Sequence, residues 1–317
     1  MRTGFIYAGQ GSQRKGMGYD LYEKYPLYRQ TLDRAAENAG FDLKKISFED
    51  PDDELSETQF TQPCMVAFAV GVSKILEKEG IRPEMVCGLS LGEYSALYEA
   101  GVLDENEVIQ LVAFRGRVMA EAAAGRYVKM AAVLQTERNV IRECCRKAAL
   151  LTGGAHNVVE AANYNCPGQT VISGDAAAVD MAEALLREQG TKRIIELNVS
   201  GPFHTSLMKP AGDRLREKMK TFDFGEMKIP VIFNATGMPE RTGETIRELL
   251  EKQVQSSVYL EDSVRYMAEH GIDTIVEIGP GHTLSKFVGR TAPEVKVYSI
   301  DTAEDLIRTA GLLKTEG

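Results

Sequence analysis

The 317-residue sequence is poor in cysteine and histidine, and it has no apolar run long enough to span a membrane. Its five cysteines are an odd number with no C-x-x-C spacing, which predicts neither a disulfide framework nor a metal site. The first residues lack a charged lead followed by an apolar stretch of signal-peptide length. These absences predict a cytoplasmic protein that binds no metal and does not enter a membrane.

Charge is biased toward acid, with 46 Asp and Glu against 37 Lys and Arg and a net charge of −9. This balance argues against a nucleic-acid-binding surface, although local basic patches can still bind an acidic protein. The 44% hydrophobic content is sufficient for one large domain, or for a large domain with a smaller one.

The first third of the chain alternates strands and helices. Asp104 and Glu107 predict a capping box at the start of one helix. Pro63 is interpreted as the first residue of a buried helix, because proline is tolerated at that position. The predicted elements are a strand at 4–7, helices at 28–39 and 63–79, a strand at 85–87, and helices at 91–100 and 104–124.

A different pattern begins near residue 129. Its order, βαββαβ, is that of a ferredoxin-like unit, which predicts a small domain inserted into a larger α/β domain. The unit has predicted strands at 129–134, 158–164, 170–173 and 193–197, and predicted helices at 137–151 and 176–189. Beyond it the pattern predicts strands at 230–234 and 274–278, helices at 244–254 and 258–270, and a last helical stretch.

The run Gly88-Leu89-Ser90-Leu91-Gly92 lies between a predicted strand and a predicted helix. Its two glycines let the backbone bend sharply and expose the serine hydroxyl, while the helix N-terminus directs amides toward a developing oxyanion. This setting predicts that Ser90 is the covalent nucleophile of an enzyme that moves acyl groups. A serine that only caps the helix is the alternative.

A serine nucleophile requires a base, and the chain has four histidines. His204 lies at the entry to a helix, on the side of its apolar residues. A helix N-terminus disfavours the imidazolium form, so His204 is predicted to be a neutral general base; a packed cap is the alternative. His156, His270 and His282 are interpreted as loop, capping and turn residues.

Two polar side chains occupy apolar helix faces. Arg115 lies on the stripe of Val108 and Leu111, where a guanidinium needs an anion because its desolvation is costly. The anion is either a carboxylate of this chain or that of a substrate, which the planar fork of arginine can hold with two hydrogen bonds. Gln253 either orients a catalytic histidine or is a satisfied core amide.

Six segments, taken together and in order, resemble the malonyl-CoA:acyl carrier protein transacylases of fatty-acid synthesis, a family related to the acyltransferase domains of polyketide synthases. The resemblance extends from near the start of the chain to the region of residue 290. The segments are Gly9-Gln10-Gly11-Ser12-Gln13, Gly88-Leu89-Ser90-Leu91-Gly92-Glu93-Tyr94-Ser95-Ala96, Arg115-Gly116-Arg117, Asn163-Tyr164-Asn165-Cys166-Pro167-Gly168-Gln169, Pro202-Phe203-His204 and Glu277-Ile278-Gly279-Pro280-Gly281.

The resemblance implies an α/β-hydrolase-like catalytic domain formed by residues 1–126 and 200–317, with a ferredoxin-like insert at 127–199. It implies that a monomeric enzyme without a cofactor transfers malonyl from malonyl-CoA to the phosphopantetheine thiol of acyl carrier protein. The alternative enzymes are an acyl-thioester hydrolase and a polyketide acyltransferase on the same scaffold. A carrier-binding module without turnover is the non-enzyme alternative.

The resemblance also assigns roles in the chemistry. Ser90 is implied to be the nucleophile and His204 the base, with Gln253 supporting His204 through its side chain or backbone. The backbone amides of Gln10 and Leu91 are implied to form the oxyanion hole.

Three further residues are implied to contact the substrate. Arg115 holds the malonyl carboxylate, and Asn163 lies on the insert face that lines the cleft. Phe203 crowds a branched α-carbon, which favours malonyl over methylmalonyl.

The chain departs from the family pattern at three places. Leu89 replaces a usual histidine before the nucleophile, Ala8 replaces a proline, and Val128-Lys129 replaces small residues, which predicts an altered or more basic cleft rim. Docking of an acidic carrier needs a basic patch, and plain solvated charges are the alternative interpretation. The candidate docking residues on the insert are Lys129, Arg187, Lys192 and Arg193.

Overall fold

The computed structural model describes residues 1–153 and 157–316, and it has a mixed α/β fold. The strands are β1 Thr3–Tyr7, β2 Met85–Gly88, β3 Val128–Leu134, β4 Val159–Cys166, β5 Gln169–Asp175, β6 Arg193–Leu197, β7 Val258–Tyr259, β8 Thr274–Ile278 and β9 Lys296–Ile300. The helices are α1 Tyr19–Lys24, α2 Pro26–Ala39, α3 Leu43–Phe48, α4 Thr58–Lys78, α5 Gly92–Glu99, α6 Glu105–Ala123, α7 Arg138–Leu151, α8 Ala176–Glu188, α9 Lys209–Met219, α10 Ile246–Gln255, α11 Leu260–Glu269, α12 Thr283–Thr291 and α13 Ala303–Glu316.

The first sheet is parallel, with strand order β2-β1-β8-β9. All five residues of β1 and of β8 are buried, as expected for central strands covered by helices on both faces. The carboxyl ends of β1, β2 and β8 meet at one edge, where Tyr7 pairs with Gly88 on one side and Ile278 on the other. Loops that follow these strands are therefore neighbours, and one of them carries Ser90.

The second sheet has strand order β6-β3-β5-β4-β7. Strands β3 to β6 and helices α7 and α8 follow one another as βαββαβ, and the two helices cover a separate apolar cluster. Strand β7 comes from a later part of the chain and pairs in parallel with β4. The sheet therefore includes a strand from outside residues 127–199.

Helix α4 begins at Thr58, so the prediction that Pro63 opens this helix is wrong. Pro63 lies inside the helix, where it lacks the N–H that would bond to the carbonyl four residues earlier. Nearly every residue from Thr61 to Leu76 is buried, so packing rather than local propensity holds the helix together. No helix among residues 1–153 and 157–316 has the length and apolar character needed to cross a membrane.

Two further predictions of elements need correction. The region predicted as a strand at 230–234 forms only isolated bridges, one of them between Val231 and Val86 beside β2. The helix predicted from residue 258 begins at Leu260, because Val258 and Tyr259 pair with β4. Strand β9 and helix α13, near the end of the chain, were not predicted.

Candidate active site

Ser90 lies in the sharp turn between β2 and α5, with a positive φ of 52°. The glycines beside it are required by close packing. A Cβ on Gly92 would lie 2.1 Å from the carbonyl oxygen of Tyr7, and one on Gly88 would lie 2.1 Å from the backbone of Gly92. The turn therefore has room only for glycine at both positions, and the serine lies at the N-terminus of the following helix.

His204 lies directly beside Ser90. Its Nε2 is 2.7 Å from the Ser90 Oγ, and its Nδ1 is 2.8 Å from the backbone oxygen of Gln253. A carbonyl oxygen can only accept, so Nδ1 carries the proton and Nε2 is free to accept the hydroxyl proton of Ser90. Burial lowers the pKa of His204 to about 4, which keeps the imidazole neutral near pH 7.

Gln253 contacts three parts of the site. Its backbone oxygen accepts from His204, its Nε2 donates to the backbone oxygen of Ser90 at 2.8 Å, and its Oε1 accepts from Arg115 at 3.0 Å. The contact with His204 is therefore made by the backbone, while the side chain joins the serine turn to the arginine. The residue is fully buried, and its amide is satisfied by these partners.

Arg115 is 1% exposed and reaches the serine. Its Nη2 lies 3.2 Å from the Ser90 Oγ, and its Nη1 donates to the Oε1 of Gln62 at 2.9 Å. Its guanidinium carbon lies 5.1 Å from the centre of the Tyr94 ring. Within residues 1–153 and 157–316 no carboxylate lies within ion-pair distance of Arg115, and its Nε has no hydrogen-bond partner. Burial lowers the pKa of this guanidinium.

Three residues of this cluster were not predicted from the sequence. Gln62 is a buried amide on a helix that is apolar on all sides, which is the same signal that singled out Gln253. Asn234 accepts from the Ser90 N–H, and Glu93 accepts from the Asn234 N–H at 2.5 Å. Burial raises the pKa of Glu93 to about 8.

A cleft of about 560 Å³ opens between the two sheets at Ser90. Within the described part of the chain, the backbone amides of Gln10 and Leu91 donate no hydrogen bond. Gln10 lines the cleft, and Leu91 is the first residue after the nucleophile. Neither amide therefore has an acceptor within the described residues.

Comparisons with known proteins identify the family of this chain. A family model described as an acyl transferase domain matches residues 4–312. The chain belongs to the acyl transferase family. The resemblance found in the motifs is confirmed by a malonyl CoA-acyl carrier protein transacylase of Bacillus subtilis, which is 36% identical over 99% of this chain and 98% of its own length.

Solved members of the family have the same fold. A structure described as MCAT from Streptococcus pneumoniae is 42% identical, with a TM-score of 0.92 over 98% of this chain and 100% of its own. The malonyl CoA-acyl carrier protein transacylase of Clostridium perfringens is 35% identical, with a TM-score of 0.94 over 100% and 98%. A third structure is a malonyl-transacylase in complex with a type II polyketide-synthase acyl-carrier protein (33% identity, TM-score 0.93, 98% and 100% coverage).

Asn163 and Phe203 both line the cleft. Leu89, at the position where the family usually has histidine, lines it as well. Lys129 does not make the rim more basic, because Asp180 and Glu183 each lie 2.9 Å from its Nζ, with Glu196 at 3.3 Å.

The remaining predicted residues lie away from this cluster. His270 is exposed and its Nδ1 donates to the backbone oxygen of Tyr266, while His282 is an exposed residue before α12. His156 lies outside the described residues. Across residues 1–153 and 157–316, no group of three or more His, Cys, Asp or Glu side chains could hold a metal ion.

Proposed function

We propose that this protein transfers the malonyl group from malonyl-CoA to the phosphopantetheine thiol of acyl carrier protein, through a malonyl-serine intermediate. One observation supports this most directly: a buried arginine without a carboxylate partner in the described chain lies 3.2 Å from the hydroxyl of a histidine-bonded serine. An arginine in that position suits an acyl group that ends in a free carboxylate. Relatives named malonyl CoA-acyl carrier protein transacylase support the same assignment.

In the first half-reaction His204 Nε2 takes the hydroxyl proton of Ser90. The Ser90 Oγ forms a bond to the thioester carbon, and the carbon–sulfur bond then breaks. The leaving thiolate takes the proton back from His204 and departs as free coenzyme A. General-base assistance of this kind contributes roughly 10²–10⁴ in rate.

The negative charge that develops on the thioester oxygen requires donors. The amides of Gln10 and Leu91 are the donors we assign, since they are unpaired in the described chain and the Leu91 amide adjoins the nucleophile. Losing one such donor costs about 3–4 kcal/mol of transition-state stabilisation. The reaction as proposed uses side chains and backbone of this chain and needs no cofactor.

In the second half-reaction the carrier thiol attacks the malonyl-serine, with His204 again accepting a proton. The ester bond to Ser90 breaks, and the serine oxygen recovers its proton from His204. The carboxamide of Asn163 would then contact the phosphopantetheine arm of the carrier, and the ring of Phe203 would contact the α-carbon of the acyl group.

We further propose that residues 1–126 and 200–317 form an α/β-hydrolase-like catalytic domain of a monomer, with a ferredoxin-like insert at 127–199.

The test combines mass spectrometry with a transfer assay. Brief incubation with malonyl-CoA should add one malonyl group to the wild type and none to Ser90→Ala, and the adduct should disappear when carrier protein with a free thiol is added. The product should be malonyl-carrier rather than free malonate. Absence of the wild-type adduct would refute the proposal, and release of malonate at the same rate without carrier would favour a hydrolase.

A further inference from the structure

The backbone around the nucleophile is held in an unfavourable conformation. Ser90 has a φ of 52°, in the left-handed region that residues with a side chain rarely adopt. Such a residue persists only where its surroundings hold it in place. The two peptide groups that flank Ser90 show which residues do so.

The peptide after Ser90 is held by Gln253. The Ser90 carbonyl oxygen accepts from the Nε2 of Gln253 at 2.8 Å and from the N–H of Glu93 at 3.1 Å. In a trans peptide the N–H is directed opposite to the C=O, so fixing this oxygen also fixes the direction of the Leu91 N–H. That N–H has no acceptor within the described residues, and it is a proposed oxyanion donor.

The peptide before Ser90 is held by Asn234. The Ser90 N–H donates to the Oδ1 of Asn234 at 2.6 Å, and the Nδ2 of Asn234 donates to the carbonyl oxygen of Gly88 at 2.7 Å. Asn234 is fully buried, and its own N–H donates to Glu93, a residue of helix α5. One carboxamide thus satisfies a donor and an acceptor of the serine turn and is itself anchored to the helix that follows.

We propose that Asn234 is a positioning residue for the acyl transfer described above. It holds Ser90 in the left-handed conformation, so that the Oγ stays within reach of His204 while the Leu91 amide remains free for the thioester oxygen. Without this carboxamide, the Ser90 N–H and the Gly88 C=O would be buried without partners, and the turn would relax toward a conformation that satisfies them. The inference rests on the proposed function but concerns only the turn.

The experiment compares Asn234→Ala and Asn234→Asp with the wild type. Each is assayed for the rate constant of Ser90 malonylation by malonyl-CoA, for the KM of malonyl-CoA, and for labelling of Ser90 by phenylmethylsulfonyl fluoride. We expect Asn234→Ala to lose about 10²-fold in both serine reactions with little change in KM, because displacement of reacting groups costs a factor of this size. Asn234→Asp keeps an acceptor for the Ser90 N–H and should recover part of the rate.

Thr31→Ala is the matched control for the loss of a buried polar contact. Its hydroxyl is buried and donates to the Leu27 carbonyl inside α2, away from the cleft. This variant should lose stability to chemical denaturation without losing serine reactivity. A folded Asn234→Ala with wild-type rates in both serine reactions would overturn the proposal, as would an Asn234→Asp with wild-type rates if the alanine variant does not fold.

The two serine reactions separate this proposal from the function it builds on. If the wild type is labelled by the sulfonyl fluoride but takes no malonyl group, the proposed function fails, while slow labelling of the Asn234 variants still supports the positioning role. If the wild type takes malonyl and the variants do so equally fast, only the positioning role fails.

Discussion

The Arg115 guanidinium is oriented before any substrate arrives. Gln62 and Gln253 accept from its two terminal nitrogens, and both acceptors are neutral amides rather than carboxylates. The positive charge is therefore held in place but is not neutralised by an ion pair within the described residues. A buried guanidinium without an ion-pair partner favours a ligand that carries a negatively charged group.

Replacing Arg115 by alanine should therefore act on substrate choice. Two charge-assisted hydrogen bonds of about 1.5–3 kcal/mol each predict a loss of roughly 10²–10⁴ in kcat/KM for malonyl-CoA. The kcat/KM for acetyl-CoA, whose acyl group has no carboxylate, should fall far less. Parallel steady-state assays with both thioesters measure the two effects.

Arg117→Ala provides the matched control, because Arg117 lies two residues further along α6, is exposed, and stacks on Phe114. This variant should retain the preference for malonyl. Equal losses for malonyl and acetyl in Arg115→Ala would show that the arginine acts only through the fold.

The raised pKa of buried Glu93 predicts that this residue makes the free energy of unfolding depend on pH. Its folded pKa of about 8 lies above the ordinary value of 4.5, so between these values the folded state holds a proton that the unfolded state releases. The contribution of Glu93 to the free energy of unfolding should consequently fall as pH rises from 4.5 to 8. Glu93→Gln keeps an acceptor for the Asn234 N–H and removes this titration. The free energy of unfolding of Glu93→Gln, relative to that of the wild type, should therefore increase as pH rises across the same window.

Urea unfolding of the wild type and Glu93→Gln at pH 5, 6.5 and 8 measures that difference. Glu188→Gln, at an exposed position of α8, is the control and should follow the wild type at each pH. Curves for Glu93→Gln that stay parallel to the wild type would contradict the prediction.

At the scale of elements, the serine turn depends on how closely α5 approaches β1. Gly92→Ala would place a methyl group 2.1 Å from the Tyr7 carbonyl oxygen, and a backbone atom cannot move aside without disturbing the sheet. We expect a large loss of stability and of Ser90 malonylation. Thermal unfolding and intact-mass analysis of the adduct provide the readouts.

Gly311→Ala is the control for the same substitution in a helix. Gly311 lies in α13, and an added Cβ there meets no atom within 4 Å. Alanine should stabilise this helix by roughly 0.5–1 kcal/mol, since glycine is unfavourable in helix interiors. Normal malonylation by Gly92→Ala would show that the turn can adjust.

Short sequence patterns predicted those helices and turns whose ends are fixed by residues close by in the chain. The capping box of Asp104 and Glu107 is present at the start of α6 with both of its hydrogen bonds. The turn at Ser90 was likewise recognisable, because strand, glycines and helix are contiguous in the chain. The predicted start of α4 is wrong because the first turn of this helix is mostly polar, and its stability comes from burial of the later turns.

Short sequence patterns do not reveal contacts between residues that are far apart in the chain. Asn234 is 144 residues from Ser90, and nothing in its neighbourhood of the sequence shows that its carboxamide meets a serine turn. Gln62 is 53 residues from Arg115. A buried amide on an apolar helix can be suspected of a polar partner, but its partner is defined only when the helices pack.

At the scale of the whole molecule, the cleft is formed by both sheets. Several contacts join residues 127–199 to the later part of the chain: β7 pairs with β4, the rings of Tyr164 and Tyr259 stack at 5.1 Å, and Arg138 of α7 contacts Glu261 and Asp262 of α11. Asn163, from the second sheet, and Ser90, from the first, consequently line one cleft. Residues of both sheets therefore line the cleft in which we propose that the substrate binds.

The net charge of −9 would repel an acidic carrier, so docking must rely on a local basic patch. Lys129 is unsuited, because three carboxylates surround it, and Arg187 lies 3.8 Å from Glu183. Lys192 and Arg193 are exposed, and in residues 1–153 and 157–316 neither has an ion-pair partner. Arg193 begins β6, whose last residue, Leu197, lines the cleft about 13 Å away at 3.3 Å per residue.

Charge reversal at this end of β6 should weaken carrier binding without affecting the first half-reaction. Lys192→Glu and Arg193→Glu are expected to raise the KM for carrier protein several-fold, more at low than at high salt, because screening weakens the contact. Malonylation of Ser90 by malonyl-CoA should stay at the wild-type rate. Lys209→Glu, on the exposed start of α9, is the control for the same change of net charge at another surface, and it also removes the ion pair with Asp213. A carrier KM that responds equally to all three reversals would locate the docking surface elsewhere.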